Sequence, residues 1–188
     1  MRIISGNYKG KKILLPKDKL TRPLKDLTKE SIFNIIKHSN LIDINLENSN
    51  ILDLFSGVGS FGLECLSRGA ANVTFLESYQ EVLTVLKKNI DSLKQQSSSN
   101  IIEKDIFEEK TLKALNNKFD IIFMDPPYKE KKLPELLNTI IKLKLLKNNG
   151  IIIVHRHKKE EDVFPSEFNI IMKKNYGISK IIFGNALA

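Results

Sequence analysis

One tetrapeptide, Asp125-Pro126-Pro127-Tyr128, places a carboxylate, two prolines and an aromatic ring directly after an apolar run. The prolines end a strand and stiffen the backbone, which holds the carboxylate and the neighbouring carbonyl in place. The exocyclic amine of a nucleobase is a poor nucleophile because its lone pair is delocalised into the ring. Hydrogen bonds to Asp125 and the Pro126 carbonyl would localise that pair and stabilise the charge that develops on nitrogen. Tyr128 would stack on a flipped base. The motif predicts methylation of a base amine through positioning, with no metal ion.

A glycine-rich segment at residues 53–62 (DLFSGVGSFG) ends the first apolar run and opens a helical pattern. Its glycines let the backbone approach a ligand, and a helix N-terminus presents unpaired N–H groups. Carboxylates lie within or shortly after three successive apolar runs. Asp53 would attract the cationic end of S-adenosylmethionine, Glu77 would bind the ribose hydroxyls, and Asp105 would accept a hydrogen bond from the adenine amino group. The contacts predicted from this segment and these strand ends are Asp53, Phe55, Gly57, Gly59, Glu77, Asp105 and Ile106.

Two other enzymes and one non-enzyme compete with this interpretation. Gly57, Gly59 and Gly62 also fit the G-x-G-x-x-G pattern of an NAD-dependent oxidoreductase, although the carboxylate of Asp53 would repel a pyrophosphate. An adenine-N6 DNA or RNA methyltransferase would use the same Asp125 chemistry. For a DNA enzyme, 188 residues leave little room for a target-recognition domain. The third alternative is a non-catalytic RNA-binding assembly factor. The motif itself does not separate the amines of guanine, adenine and cytosine.

The elements that must position these residues alternate along the chain after residue 50. Apolar runs at 51–55, 73–76, 101–102, 119–124 and 151–154 predict strands, and patterns near 60–68, 79–95, 108–115 and 132–147 predict helices. Ser78 and Glu81 fit a capping box for the second of these helices. The alternation predicts a parallel sheet covered on both faces, and 167–174 with 178–183 predict an antiparallel terminal hairpin. We therefore expect an α/β, Rossmann-like seven-stranded fold of the class I S-adenosylmethionine-dependent methyltransferases.

The first 37 residues are strongly basic. They contain ten Lys or Arg against three acids, a surplus of seven in a chain of net charge +8. Such a concentration is typical of a polyanion-binding surface, although general Lys enrichment on solvated faces would give the same count. The pattern predicts a short β-hairpin (around 2–5 and 11–15) and a helix from about 25 to 38. We predict an N-terminal RNA-binding extension at 1–37, packed on a methyltransferase domain at 38–188.

Cysteine and histidine have modest roles in this interpretation. The single cysteine, Cys65, excludes an internal disulfide and lies among apolar residues, where a core role is expected rather than a nucleophilic one. His155 and His157, around Arg156, are predicted to form an RNA-facing rim. No signal peptide or membrane-spanning run is present, so we expect a cytoplasmic protein.

Several blocks of the sequence resemble the RsmD family, the bacterial 16S rRNA guanine-N2 methyltransferases. They are RIISG (2–6), KGKK (9–12), TRP (21–23), ESIFN (30–34), LDLFSGVG (52–59), GLECLSRGA (62–70), DPPY (125–128) and YG (176–177). The resemblance covers nearly the whole chain, and the early block with SRGA (67–70) is its most specific part.

This resemblance implies methylation of the guanine conventionally numbered 966 in 16S rRNA, within an assembling small ribosomal subunit, by a monomer. It implies that Arg22 lies beside the cofactor and that the front hairpin contacts RNA, for which Arg2, Lys9, Lys11 and Lys12 are the candidates. The chain departs from the family at Leu27, where a basic residue is usual. It also departs near His155, where a Glu is usual.

Overall fold

The computed structural model describes residues 1–17 and 24–187, so the predicted cofactor contact Arg22 lies outside the described residues. The strands are β1 (Asn50–Leu54), β2 (Asn72–Leu76), β3 (Ser99–Ile102), β4 (Phe119–Met124), β5 (Leu146–His157), β6 (Phe168–Tyr176) and β7 (Ser179–Ala186). The helices are α1 (Asp26–His38), α2 (Ser60–Ser67), α3 (Gln80–Ser92), α4 (Glu109–Lys113) and α5 (Leu133–Lys142).

Across the described residues, the seven strands form one sheet in the order β3-β2-β1-β4-β5-β7-β6. Strands β1 to β5 are parallel, and β7 lies antiparallel between β5 and β6. The strand order reverses between β1 and β4, which opens a crevice at the carboxyl ends of these strands, where ligands bind in such sheets. The predicted parallel sheet and terminal hairpin are confirmed.

Helices cover both faces of the sheet, which explains why the central strands β1, β2 and β4 are buried at nearly every position. Alternate residues of a strand point to opposite faces. Phe123 belongs to the core beneath α1, α2 and α3, while its neighbours Ile122 and Met124 belong to the core beneath α4 and α5. The two cores hold the carboxyl ends of β1 and β4 side by side.

The N-terminal segment packs directly on α2. Its predicted hairpin is reduced to a single bridge between Arg2 and Lys12, with hydrogen bonds around the turn. Ile3 is fully buried in the same core as Phe33 of α1, whose ring lies 5.2 Å from that of Phe61 in α2. The segment therefore shares the core of the rest of the chain.

A buried ionic cluster joins this segment to α2. Glu64 is fully buried and accepts hydrogen bonds from the backbone N–H groups of Ile4 (2.7 Å) and Ser5 (2.9 Å). Arg68 donates to it at 2.8 Å, and the Lys29 ammonium lies 3.7 Å away. Lys29 is itself fully buried and donates to the Arg2 carbonyl at 2.9 Å. One of the ten basic residues counted toward a polyanion-binding surface is therefore internal.

The predicted capping box of α3 is wrong. Tyr79 is the N-cap of α3, which begins at Gln80, and it makes no side-chain cap bond. Glu77, from the end of β2, accepts the N–H groups of Ser78 (2.8 Å) and Tyr79 (2.9 Å) instead. The carboxylate of Glu77 therefore orders the connection that leads into α3, outside the helix itself. Among the described residues, none of the helices combines the length and apolar character that crossing a membrane requires.

Candidate active site

A cavity of about 940 Å³ opens at the carboxyl ends of the central strands, within the range of small-molecule sites. It brings together residues from the glycine-rich segment, the ends of β2 to β5, the DPPY motif and the start of β7. Of the predicted site residues, it is lined by Asp53, Phe55, Gly57, Glu77, Asp105, Ile106, Asp125, Pro126 and Tyr128. Gly59 lies in the same turn, beneath the cavity wall.

The glycine-rich turn between β1 and α2 depends on left-handed backbone geometry. Phe55 (φ 56°), Gly57 (φ 55°) and Gly59 (φ 82°) all have positive φ, and Phe55 is a strained exception for a side chain of its size. A Cβ at Gly59 would lie 2.5 Å from Cδ1 of Leu86 in α3. The close approach at Gly59 is therefore to the protein's own core, whereas the glycine pattern predicts an approach to a ligand.

Asp53 ends β1 as a buried carboxyl at the floor of the cavity. It is 1% exposed and accepts a hydrogen bond from the Gly62 N–H at 3.0 Å. Burial raises the pKa of Asp53 well above its usual range, and the charges of Asp125 and Glu77 act in the same direction. A cation in the cavity would favour the ionised form of this carboxyl.

Glu77 and Asp105 both use a carboxylate oxygen to hold local backbone. Oε2 of Glu77 accepts the Gly57 N–H at 2.9 Å, which ties the end of β2 to the glycine-rich turn. Oδ1 of Asp105 accepts the Phe107 N–H at 2.9 Å and closes the turn that precedes α4. Ile106 is buried between them and α4. The two acids line the cavity just after the ends of adjacent strands, β2 and β3, as their positions in sequence predict.

The DPPY motif follows β4, and its carboxylate is held by an unexpected partner. Oδ1 of Asp125 lies 2.7 Å from Nδ1 of His155, and Nε2 of that ring lies 2.9 Å from Oγ of Ser179. His155 is 6% exposed, so its predicted place on an RNA-facing rim is wrong. His157, two residues on, is half-buried, and its ring meets Tyr128 edge-on at 5.1 Å.

Arg156 fixes the backbone of the same motif. Its guanidinium is 3% exposed and donates to the carbonyls of Pro127 (3.0 Å) and Glu130 (3.1 Å) and to the carboxylate of Asp162 (2.8 Å). Sequence reasoning missed both His155 and Arg156. The apolar run at 151–154 could have revealed them. It indicates a buried strand, and that strand continues into the polar residues after the run.

The remaining predicted residues lie outside the cavity wall. Arg2, Lys9, Lys11 and Lys12 are exposed on the N-terminal segment, and Arg2 lies 4.0 Å from Asp26. Cys65 is fully buried in α2, as expected for a core residue, and burial raises the pKa of its thiol well above the usual value. Within residues 1–17 and 24–187, no group of three metal-ligating side chains is present.

Known proteins resemble this chain over almost its whole length. Residues 1–185 match a family described as conserved hypothetical protein 95. The ribosomal RNA small subunit methyltransferase D of Buchnera aphidicola subsp. Acyrthosiphon pisum is 34% identical over 176 residues, which cover 92% of this chain and 86% of that protein. The protein of the same name from Haemophilus influenzae is 31% identical, over 95% of this chain and 90% of its own.

Solved structures are also similar to this chain over its whole length. One described as "Putative methyltransferase yhhF", from Escherichia coli, is 27% identical, has a TM-score of 0.81 and covers 100% of this chain and 98% of its own. A methylase structure from Haemophilus influenzae is 32% identical, with a TM-score of 0.77 over 100% of this chain and 99% of its own. The predicted Rossmann-like fold of class I methyltransferases is confirmed.

Proposed function

This chain belongs to the RsmD family, whose model matches residues 1–185, and on that premise we propose that it methylates ribosomal RNA of the small subunit. In full, the proposed reaction transfers a methyl group from S-adenosylmethionine to the exocyclic N2 amine of a guanine in 16S rRNA. The guanine is the one conventionally numbered 966, and the substrate is an assembling small ribosomal subunit. The observation that carries the proposal is the carboxylate of Asp125, held at the edge of the cavity that the other strand ends form.

The residues of the cavity suit S-adenosylmethionine. When bound, this cofactor supplies an electrophilic methyl group on a positively charged sulfur. Asp53, whose buried carboxyl responds to positive charge, would receive the cationic methionine end beside Gly57. Glu77 would bind the ribose, and Asp105 the adenine amino group, with Phe55 and Ile106 as apolar contacts.

The same geometry disfavours a nicotinamide dinucleotide. In a dinucleotide site the N–H groups of the glycine-rich turn bind a pyrophosphate. Here the Gly57 N–H donates to the carboxylate of Glu77 at 2.9 Å. A pyrophosphate would therefore have to displace a carboxylate from this N–H group.

The chemistry at the amine follows from the DPPY motif. Asp125 and the Pro126 carbonyl accept the two amine hydrogens, and Tyr128 stacks on the base. The nitrogen lone pair forms the new N–C bond, while the electrons of the broken S–C bond go to sulfur. The methylated nitrogen is then cationic and returns to neutrality by losing one proton to Asp125, from which water takes it. Asp125 therefore both orients the amine and stabilises its charge.

The RNA side of the proposal rests on the exposed cations of the N-terminal segment. Arg2, Lys9, Lys11 and Lys12 lie on one short turn, and the buried cluster around Glu64 fixes this turn to α2. Backbone phosphates are the ligands that such surface lysines bind.

The test of this proposal is the Asp125→Ala variant. We expect turnover to fall by at least about 100-fold, the cost of losing one group that stabilises transition-state charge. Calorimetry with S-adenosylhomocysteine should show nearly unchanged affinity, because Asp53, Glu77 and Asp105 remain, while NAD should not bind. Asp43→Ala, at the opposite end of the sheet, is the control. An Asp125→Ala variant with the turnover of the parent protein would contradict the assigned role.

A further inference from the structure

His155 sits beside Asp125 because their strands pair in register. Met124 of β4 pairs with Val154 of β5, so the next residue of each strand, Asp125 and His155, emerges at the same edge. The side chains are 20% and 7% exposed, and Nδ1 lies 2.7 Å from Oδ1. This contact is therefore built into the sheet and shielded from water.

Ser179, the first residue of β7, holds the other side of the ring. It is 4% exposed, and its Oγ lies 2.9 Å from Nε2 of His155. With both ring nitrogens bonded, the imidazole cannot rotate without losing a buried hydrogen bond. The ring of Tyr128 lies edge-on at 6.3 Å and closes the side toward the motif.

The partners decide which nitrogen carries hydrogen. An ionised carboxylate only accepts hydrogen bonds, so Nδ1 must donate to Asp125. The Ser179 hydroxyl donates to Nε2 when the ring is neutral and accepts from it when the ring is cationic. The donor to Asp125 is thus present in both states, and only the charge beside Asp125 changes.

We propose that His155 is a positioning residue for Asp125, with Ser179 as its support. The Nδ1–H of His155 holds one carboxylate oxygen of Asp125, which leaves the other for the amine of the base. No proton leaves His155 in the reaction. A neutral ring leaves the full acceptor strength of Asp125, and a cationic ring weakens it. This inference rests on the proposed amine methylation.

Several polar and ionisable groups surround His155, and the effect of each on the pH dependence of kcat must be distinguished. Asp125 and Tyr128 face it from the segment after β4, Ser179 faces it from β7, and His157 lies two residues along on β5. Asp53 and Glu77 lie deeper in the same cavity. These carboxyls are present in the parent protein and in a His155 variant alike, whereas the imidazole is absent from the variant.

The variants follow from this geometry. In His155→Asn, the side-chain amide N–H replaces the Nδ1 donor and does not titrate. In His155→Leu the volume is kept and the donor is lost. We expect His155→Leu to lower kcat by about 100-fold, the usual cost of a misplaced reacting group, with little change in KM for RNA. We expect His155→Asn to recover most of that loss.

The pH profile is the second readout. We expect the acid limb of the kcat profile to differ between the parent protein and His155→Asn, because a charge on the ring would weaken Asp125 and the variant carries no ionisable group there. His38→Asn, an exposed histidine at the end of α1, should keep the parent profile. An unchanged kcat in His155→Leu, or a parent-like limb in His155→Asn, would overturn the proposal.

A measurement without turnover separates this inference from the proposed function. Nitrogen-15 NMR should show a protected Nδ1–H on His155 that Asp125→Leu exposes to solvent exchange, while the signal of His38 stays the same. If this signal behaves as expected and no RNA is methylated, the proposed function fails and the positioning contact stands. If Nδ1 carries no protected hydrogen, the positioning proposal fails whatever the enzyme methylates.

Discussion

Removing the charge of Glu64 should loosen the N-terminal segment and destabilise the whole protein. Glu64→Gln keeps the size of the side chain but replaces one carboxylate oxygen with an NH₂ group. In the parent protein, both carboxylate oxygens accept hydrogen bonds. Oε2 accepts the Ile4 N–H, and Oε1 accepts from the Ser5 N–H and from Arg68. In either orientation, the new NH₂ group faces a donor in a fully buried site.

The magnitude follows from burial and charge. Glu64 and Lys29 are both fully buried, and burial lowers the pKa of Lys29 against the opposing effect of Glu64. Taking one partner from a buried ion pair costs about 3–5 kcal/mol. Here Lys29 and Arg68 both lose the charge of Glu64, and Lys29 keeps only the half-buried Asp26, at 4.0 Å. In a chain of this length, each kcal/mol lowers Tm by about 2–4 °C, so we expect a decrease of roughly 6–20 °C.

Two assays separate local from global effects. Urea unfolding measures the loss of stability, and hydrogen exchange at the Ile4 and Ser5 amides measures release of the segment from α2. Glu30→Gln, an exposed acid of α1, is the control and should change stability by less than about 0.5 kcal/mol. A loss below about 1 kcal/mol in Glu64→Gln, with unchanged exchange at both amides, would refute the reasoning.

Three further predictions follow from the site. Burial raises the pKa of Asp53 above its unfolded value, so above about pH 4 the folded state keeps a proton that the unfolded state releases, and the free energy of unfolding falls as pH rises. Asp53→Asn should remove this part of the slope in urea unfolding, and an unchanged slope contradicts the assignment. Arg156→Met should cost about 3–5 kcal/mol in thermal unfolding and slow turnover, because it removes the donor to the Pro127 and Glu130 carbonyls and leaves Asp162 with Lys180 alone, at 3.3 Å; the exposed control, Lys158→Met, should not. Replacing Lys9, Lys11 and Lys12 with Gln should reduce the slope of log Kd for RNA against log salt by up to about 3. A slope equal to that of the parent protein would show that RNA binds at another surface.

The central strands β1, β2 and β4 were predictable because each contains a short apolar run, as a sheet buried on both faces requires. The carboxyl ends of such strands meet at one edge, so the sequence alone was enough to place Asp53, Glu77, Asp105 and Asp125 together. The predicted strand at 151–154 was too short, since β5 extends to His157 through its pairing with β7.

Polar residues in the interior were the harder part. Lysine is usually a surface residue, so the sequence does not indicate that Lys29 is buried. Only the fold shows that its ammonium group donates to the Arg2 carbonyl and pairs with Glu64. The HRH sequence at 155–157 indicates an exposed rim, yet Asp125 and the turn after it supply partners for His155 and Arg156. Such partners lie about 30 residues away in sequence, and local patterns do not reveal them.

The most direct test of the account is transfer of labelled methyl from S-adenosylmethionine to three substrates in parallel. These are small ribosomal particles that lack the modification, naked 16S rRNA, and DNA, each followed by nucleoside analysis. The account predicts N2-methylguanosine from a ribosomal substrate and its loss with Asp125→Ala. Label in N6-methyladenine from DNA, or no label in any sample despite tight cofactor binding, would contradict it.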